Sequence, residues 1–267
     1  MFNRLKYIIA ALLLLSSLPL SALAWAKGKN NTFLSTQFSF YKAEHYWDMN
    51  GHRQIQNNPF LKREINLFAE YGITDASNFT LQTYFDFITQ GSLNNHGFTD
   101  IEFALNTELV RYGNLNVLSF QNLLIIPGAY SPNDPLPLGY GRTGFQWGFL
   151  SGHQVLGGWQ EFNFYYRHYW GYPSDQLRAE YLGSYPIYQA VSFSWMIKAE
   201  WGLKDKEPFF ISDNIEVQAQ YRLVKAYAGL NYKLTPTKTF EFGVYKDLWG
   251  ENTGDGYELC ASLWFRF

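Results

Sequence analysis

The sequence holds a single cysteine, Cys260, so no intrachain disulfide is available and stability must come from burial and backbone pairing. No cysteine follows the small residues near the N-terminus, which excludes the lipid-modified start of a bacterial lipoprotein. Beyond residue 26 there is no apolar run of the roughly 18 residues that a membrane-spanning helix needs. Neither sign of charge dominates: 21 Lys and Arg stand against 23 Asp and Glu, interspersed along the chain, which argues against a nucleic-acid-binding surface. The five histidines lack metal-ligand spacing and Cys260 has no nearby partner, so neither a metal nor a cofactor is expected. No linker divides the chain into separate domains.

Aromatic residues, by contrast, are abundant. They make up 19% of the chain and charged residues only 16%. The hydropathy average is slightly negative all the same, as happens when lipid-facing apolar residues alternate with polar interior ones.

The N-terminus carries Arg4 and Lys6, an apolar stretch from Ile8 to Leu23, and two small-x-small sites, Ala22-Leu23-Ala24 and Ala24-Trp25-Ala26. This is the pattern of a secretory signal peptide, cut after Ala24 or Ala26 following export through the Sec pathway. Residues 1–26 are therefore set aside as signal, and 27–267 are expected to form one domain.

That domain reads as strands. In the last of them Tyr257, Leu259, Ala261, Leu263, Phe265 and Phe267 share one face, while Glu258, Cys260, Ser262, Trp264 and Arg266 share the other. The run has the 9–11 residue length of a tilted membrane strand. The same alternation recurs from Leu61 to Tyr71, from Phe79 to Phe87, from Ile101 to Leu109, from Phe193 to Trp201 and from Ile215 to Tyr221. Tight turns at 72–75, 112–114 and 235–237 alternate with longer connections at 48–59, 90–98, 127–141 and 204–213. The glycine-rich region 141–157 is either a bent strand or part of a long loop. The expectation is an all-β fold, a closed antiparallel transmembrane β-barrel of about 12 strands, with 10 or 14 also compatible. Tyr46, Trp47, Tyr165 to Trp170, Trp201, Trp249 and Trp264 to Phe267 are candidates for the interfacial aromatic girdles of such a barrel.

With the polar face inward, the pore-lining candidates are Lys62, Glu64, Glu70, Asp86, Glu102, Glu108, Glu161, Arg167, Arg178, Glu180, Lys198, Glu200, Glu216 and Arg222. Inward charges must be paired or hydrated. They either knit a network that fills the barrel or line a water-filled pore. Twelve strands leave room only for a narrow pore, further narrowed by Tyr84, Tyr165 and Tyr227, and the slight acidic excess implies a mild cation preference. The Pro-rich loop 127–141 is a candidate constriction.

Leu259, Ala261, Leu263, Phe265 and the terminal Phe267 resemble the signal by which outer-membrane proteins engage the barrel assembly machinery. The resemblance implies outer-membrane lipid, that machinery and periplasmic chaperones as partners in biogenesis; the polar interior makes small solutes the expected cargo. Tyr46-Trp47-Asp48 with Gly51, then Ala69-Glu70-Tyr71-Gly72-Ile73-Thr74-Asp75, and an echo at Gly243-Val244-Tyr245-Lys246-Asp247, resemble exported barrels of the transporter-like family named for the meta-pathway of phenol degradation. That likeness covers about a quarter of the chain and implies a barrel with a transport role. Similar exported barrels accompany exopolysaccharide and biofilm, which leaves a closed structural barrel as the alternative. A lipid-modifying enzyme would need a His, a Ser and an orienting acid on the outer face. His168, Ser174 and Asp175 are the nearest set, but the surrounding motif of outer-membrane phospholipases is absent, and no enzymatic activity is expected.

Overall fold

The computed structural model describes residues 22–113, 116–171, 173–203 and 220–267. The strands run β1 (Thr32–Trp47), β2 (Arg53–Thr74), β3 (Ser77–Gln90), β4 (Leu93–Tyr112), β5 (Asn116–Ile126) and β6 (Gly144–Val155), then β7 (Gly158–Tyr169), β8 (Gln176–Tyr188), β9 (Val191–Gly202), β10 (Arg222–Thr235), β11 (Lys238–Glu251) and β12 (Thr253–Arg266). Each pairs antiparallel with its neighbours in sequence, and β1 pairs with β12 from Phe33↔Arg266 to Trp47↔Thr253, closing a twelve-stranded barrel. Closure leaves no unpaired edge, which is what a strand-built membrane span requires.

Side-chain alternation sets the two surfaces. Phe38, Leu67, Leu105, Phe149, Phe162, Ile197, Leu230, Phe242 and Leu259 all stand outward and exposed, an apolar belt running round the barrel. Their neighbours in sequence point in and are polar: Ser39, Asn106, Asn163, Asn231 and Glu241 are all buried. An exposed apolar surface of this extent on a closed barrel is a lipid-facing surface.

Tight connections lie at the end that holds both termini: β2–β3, β6–β7, β8–β9 and β10–β11 are joined by two-residue turns. At the other end, here the loop end, β5 and β6 are joined through the long segment 127–143. Two expected loops are much shorter than their composition suggests. Most of 48–59 and 90–98 continues as strand, with Phe60↔Gln90 and Asn95↔Ile88 still in register, because cross-strand pairing extends past the apolar belt. The glycine-rich region resolves as β6. On its inner face Gly148 and Gly152 leave space for aromatic rings, and a Cβ at Gly148 would lie 2.3 Å from Tyr165 Cδ1. The expected loop 204–213 and nearly all of the expected strand 215–221 lie outside the described residues.

Several girdle candidates face inward instead. Trp264 packs with Phe33 and Phe68 inside the terminal end, and Trp47 and Tyr165 are buried. Trp201 and Trp249 do stack on the outer surface, with ring centroids 5.9 Å apart, and Trp170 is exposed.

Candidate functional site: the barrel interior

The interior has three levels: a looped-over mouth, a charged central cavity and a terminal end occupied by the chain's own N-terminal segment.

The central cavity has a volume of about 550 Å³. Of the sequence candidates, Lys62, Glu64, Asp86, Glu102, Arg167, Arg178, Glu180 and Lys198 line it, and Glu200 lines a smaller adjoining cavity. The charges are grouped. Strands β2 to β4 carry Glu64, Asp86, Asp100 and Glu102 with one base, Lys62, whereas β7 to β10 carry Arg167, Arg178, Lys198 and Lys225 with one acid, Glu180. Ion pairs hold the basic side chains in place: Lys198 Nζ lies 2.6 Å from Glu200 and 3.9 Å from Glu180, and Lys225 Nζ lies 3.5 Å from Asp247 and 3.7 Å from Glu258. Arg178 reaches Glu200 at 3.5 Å, and Lys62 reaches Glu64 at 3.1 Å. Tyr84, Tyr140, Tyr165, Tyr169 and Tyr245 fill the gaps between charges.

Asp100 and Lys225 escape the sequence reading. Asp100 shares the inward parity of Glu102 but lies one residue before Ile101, where the expected alternation begins; the register shift there sets Thr99 and Asp100 together against Tyr84 and turns Thr99 inward as well. Lys225 lies at a similar shift between β10 and β11. Arg222 is a correction in the other direction. It is the cross-strand partner of Trp201, shares its outward face, and spreads over the indole with Cζ 4.4 Å from the ring centroid. Its guanidinium pairs with Glu251 at 2.7 Å at the loop-end rim, outside the lumen. Glu216 lies outside the described residues.

The loop 127–141 folds into the mouth. Leu136 and Leu138 bury against Tyr41, Phe60 and Ile88, and Leu138 and Tyr140 form part of the cavity roof. Asn95 Nδ2 donates to the Leu136 carbonyl at 2.8 Å, and the Tyr130 hydroxyl donates to Asp100 while accepting the Gly141 amide at 3.0 Å. Burial, reinforced by the Asp100 carboxylate, pushes the Tyr130 phenol above its ordinary pKa, so it stays a donor.

Three more candidates are not on the cavity wall at all. Glu70, Glu108 and Glu161 surround residues 22–27, which enter the terminal end of the barrel. Ala22 and Ala24 are fully buried there, and Trp25 meets Trp159 edge-on at 6.3 Å. Glu161 accepts the Ala24 amide at 3.0 Å, Glu108 accepts the Ala26 amide at 2.6 Å, and Glu70 pairs with Lys27 Nζ at 3.3 Å. No spacing in the sequence signals this, because the contacts form only when a segment distant in sequence enters the barrel.

On the outer face His168 Nδ1 lies 2.7 Å from Asp175, which also accepts the Tyr166 hydroxyl at 2.6 Å. Ser174 is buried and its hydroxyl has no hydrogen-bond partner among the described residues, so the three do not form a relay.

Fold and interior together define the class: a closed, polar-centred β-barrel of the kind that spans outer membranes. No protein-family model matches the chain, and no curated protein matches it in sequence. Among solved structures, the COG4313 outer membrane channel from Pseudomonas putida F1 superposes with a TM-score of 0.76 at 14% identity, over 91% of this chain and 98% of that one. The NanC porin gives 0.53 at 12% identity, over 87% and 98%. The KdgM porin, solved in complex with disordered oligogalacturonate, gives 0.51 at 8% identity, over 87% and 99%. At these identities the likeness is one of fold.

Proposed function

We propose that the protein is a narrow outer-membrane channel for small polar solutes, with the terminal end facing the periplasm and the loop end facing outward. The carrying observation is the central cavity of about 550 Å³, lined by ionic and phenolic groups rather than by close-packed side chains. Charged groups at that density need water or a solute beside them. The apolar belt supports membrane residence, and the long connections 127–143 and 203–221, both at the end opposite the termini, support this orientation although β3–β4 and β11–β12 turn tightly there. The channel folds among the structural neighbours support the same reading.

The grouping of charge refines it. The acidic excess on β2–β4 faces a basic excess on β7–β10 that same-side acids partly offset, and the remaining field orients a solute bearing both charges and disfavours a purely apolar one. Acidic residues slightly outnumber basic ones on the cavity wall, so the channel prefers cations mildly, and less so at high salt. Purified protein in planar bilayers should show small, discrete conductance steps with a reversal potential of cationic sign. Absence of any conductance would overturn the reading. It would favour a closed structural barrel, which the inward loop and the buried N-terminal segment also fit.

A further inference from the structure

We infer that the export signal is cut between Ala24 and Trp25, that the new amino terminus is captured inside the barrel beside Glu161, and that the mature lumen is wider for the loss of residues up to Ala24. The inference rests on reading residues 1–24 as a signal peptide. It does not depend on conduction.

The structure distinguishes the two small-x-small sites. Everything from Trp25 onward is held by a built receptacle. The Trp25 indole stacks edge-on against Trp159 and fills the space left by Gly152, where a Cβ would come within 2.5 Å of the ring. Asn78 donates to the Trp25 carbonyl at 3.3 Å and accepts the Lys27 amide at 2.9 Å, while Glu108 takes the Ala26 amide at 2.6 Å. A cut after Ala26 would discard Trp25, empty that space and strip Glu108 of its backbone donor.

A cut after Ala24 leaves that receptacle filled. It removes the small buried side chains of Ala22 and Ala24 together with Leu23, and three hydrogen bonds: the Ala24 amide to Glu161, the Ser119 hydroxyl to the Ala24 carbonyl, and Lys27 Nζ to the Ala22 carbonyl at 3.3 Å. The first two flank the Ala24–Trp25 peptide bond. Hydrolysis by a membrane-bound leader protease adds one water across that bond, leaving a carboxylate on Ala24 and an amine on Trp25 that takes up a proton. In the mature barrel, which folds after the cut, the Trp25 ammonium comes to lie beside Glu161 and Ser119, the two groups that residue 24 engages in the uncut chain. Glu161 is fully buried, and its second oxygen has no hydrogen-bond partner among the described residues. A buried carboxylate served by one amide is costly, and a cation with three donors resolves that cost.

The part removed matters too. Leu23 lines the central cavity and also a second cavity of about 280 Å³ toward the terminal end, walled in part by Phe33, Phe68, Trp159 and Trp264. Losing residues up to Ala24 removes a side chain that the two cavities share. In the mature barrel the two cavities therefore join.

The decisive measurement is the N-terminal residue of the protein isolated from outer membranes. Trp25 is the expected result, and Lys27 would overturn the assignment. Capture is read by labelling the native protein at neutral pH with a reagent selective for α-amines. The wild type should label many-fold more slowly than the same protein in denaturant, and Glu161→Gln should abolish most of that protection. Equal labelling of folded and denatured wild type would refute capture. Should Glu161→Gln fail to assemble, Ser119→Ala and Trp25→Ala report on the same protection, and full protection in both would refute the receptacle. None of these measurements involves current, so they stand or fall separately from the channel.

Discussion

Arg167 on β7 reaches over two strands to Glu102 on β4, Nη2 to Oε1 at 3.0 Å. The strands between them supply the rest of the rung. Arg167 Nε donates to Gln146 Oε1 at 2.8 Å, and Gln146 Nε2 donates to Gln121 Oε1 at 3.0 Å. One polar chain thus ties four strands together along the cavity wall.

Breaking that rung should be costly and electrically visible. Arg167→Met should lower unfolding stability in urea by roughly 1.5–3 kcal/mol, the range for hydrogen bonds to charged groups. In bilayers it should move the reversal potential further toward cations, whereas Glu102→Gln should move it back. Identical shifts from the two variants would mean that neither side chain senses permeating ions.

The mouth offers a second test. Deleting residues 130–140 removes the roof that Leu138 and Tyr140 form over the cavity and uncovers Phe60 and Ile88. Single-channel conductance should rise severalfold while the barrel keeps its resistance to unfolding in cold detergent. The milder Leu136→Asp, which places a charge in the cluster with Tyr41 and Phe60, should raise the frequency of brief openings. Unchanged current in both variants would show that the narrowest point lies deeper.

Phe267 separates assembly from stability. Its side chain is exposed, while its backbone amide and carbonyl pair with Thr32 at 2.9 and 3.0 Å. Phe267→Ala retains those bonds and buries nothing less. It should refold in detergent like the wild type, yet accumulate poorly in the outer membrane of growing cells, as measured by the heat-modifiable band on gels. Normal accumulation would remove Phe267 from the assembly signal.

Much of this fold is legible because a strand with one lipid face writes its period directly into the sequence. Phe79, Phe87 and Leu105, read as outward, are outward. Legibility fails where that physics stops applying. Near the barrel ends the inner face is apolar too, so Trp264 and Trp47 satisfy the pattern of an interfacial aromatic while sitting inside. At register shifts one extra residue exchanges inside for outside, which turns Thr99 inward and Phe98 outward against the parity of Asp100 and Glu102. Arg222 misleads because a cation lying flat on Trp201 is as stable at the rim as one in the lumen. The roles of Glu70, Glu108 and Glu161 require knowing that a segment far away in sequence returns to them, and no local pattern encodes that.

The seam between β1 and β12 has one more implication. Phe33 finds Arg266, and Thr32 finds Phe267, only when both ends of the chain are present together. Every other neighbouring pair of strands can form as a local hairpin or across one loop, but this pairing spans nearly the whole polypeptide and carries the greatest loop-closure entropy. The last event in folding is therefore also an inspection for completeness. A chain broken off at any point keeps two raw sheet edges in contact with lipid, where unpaired amides cannot persist, and should be cleared by proteases rather than linger as a leak.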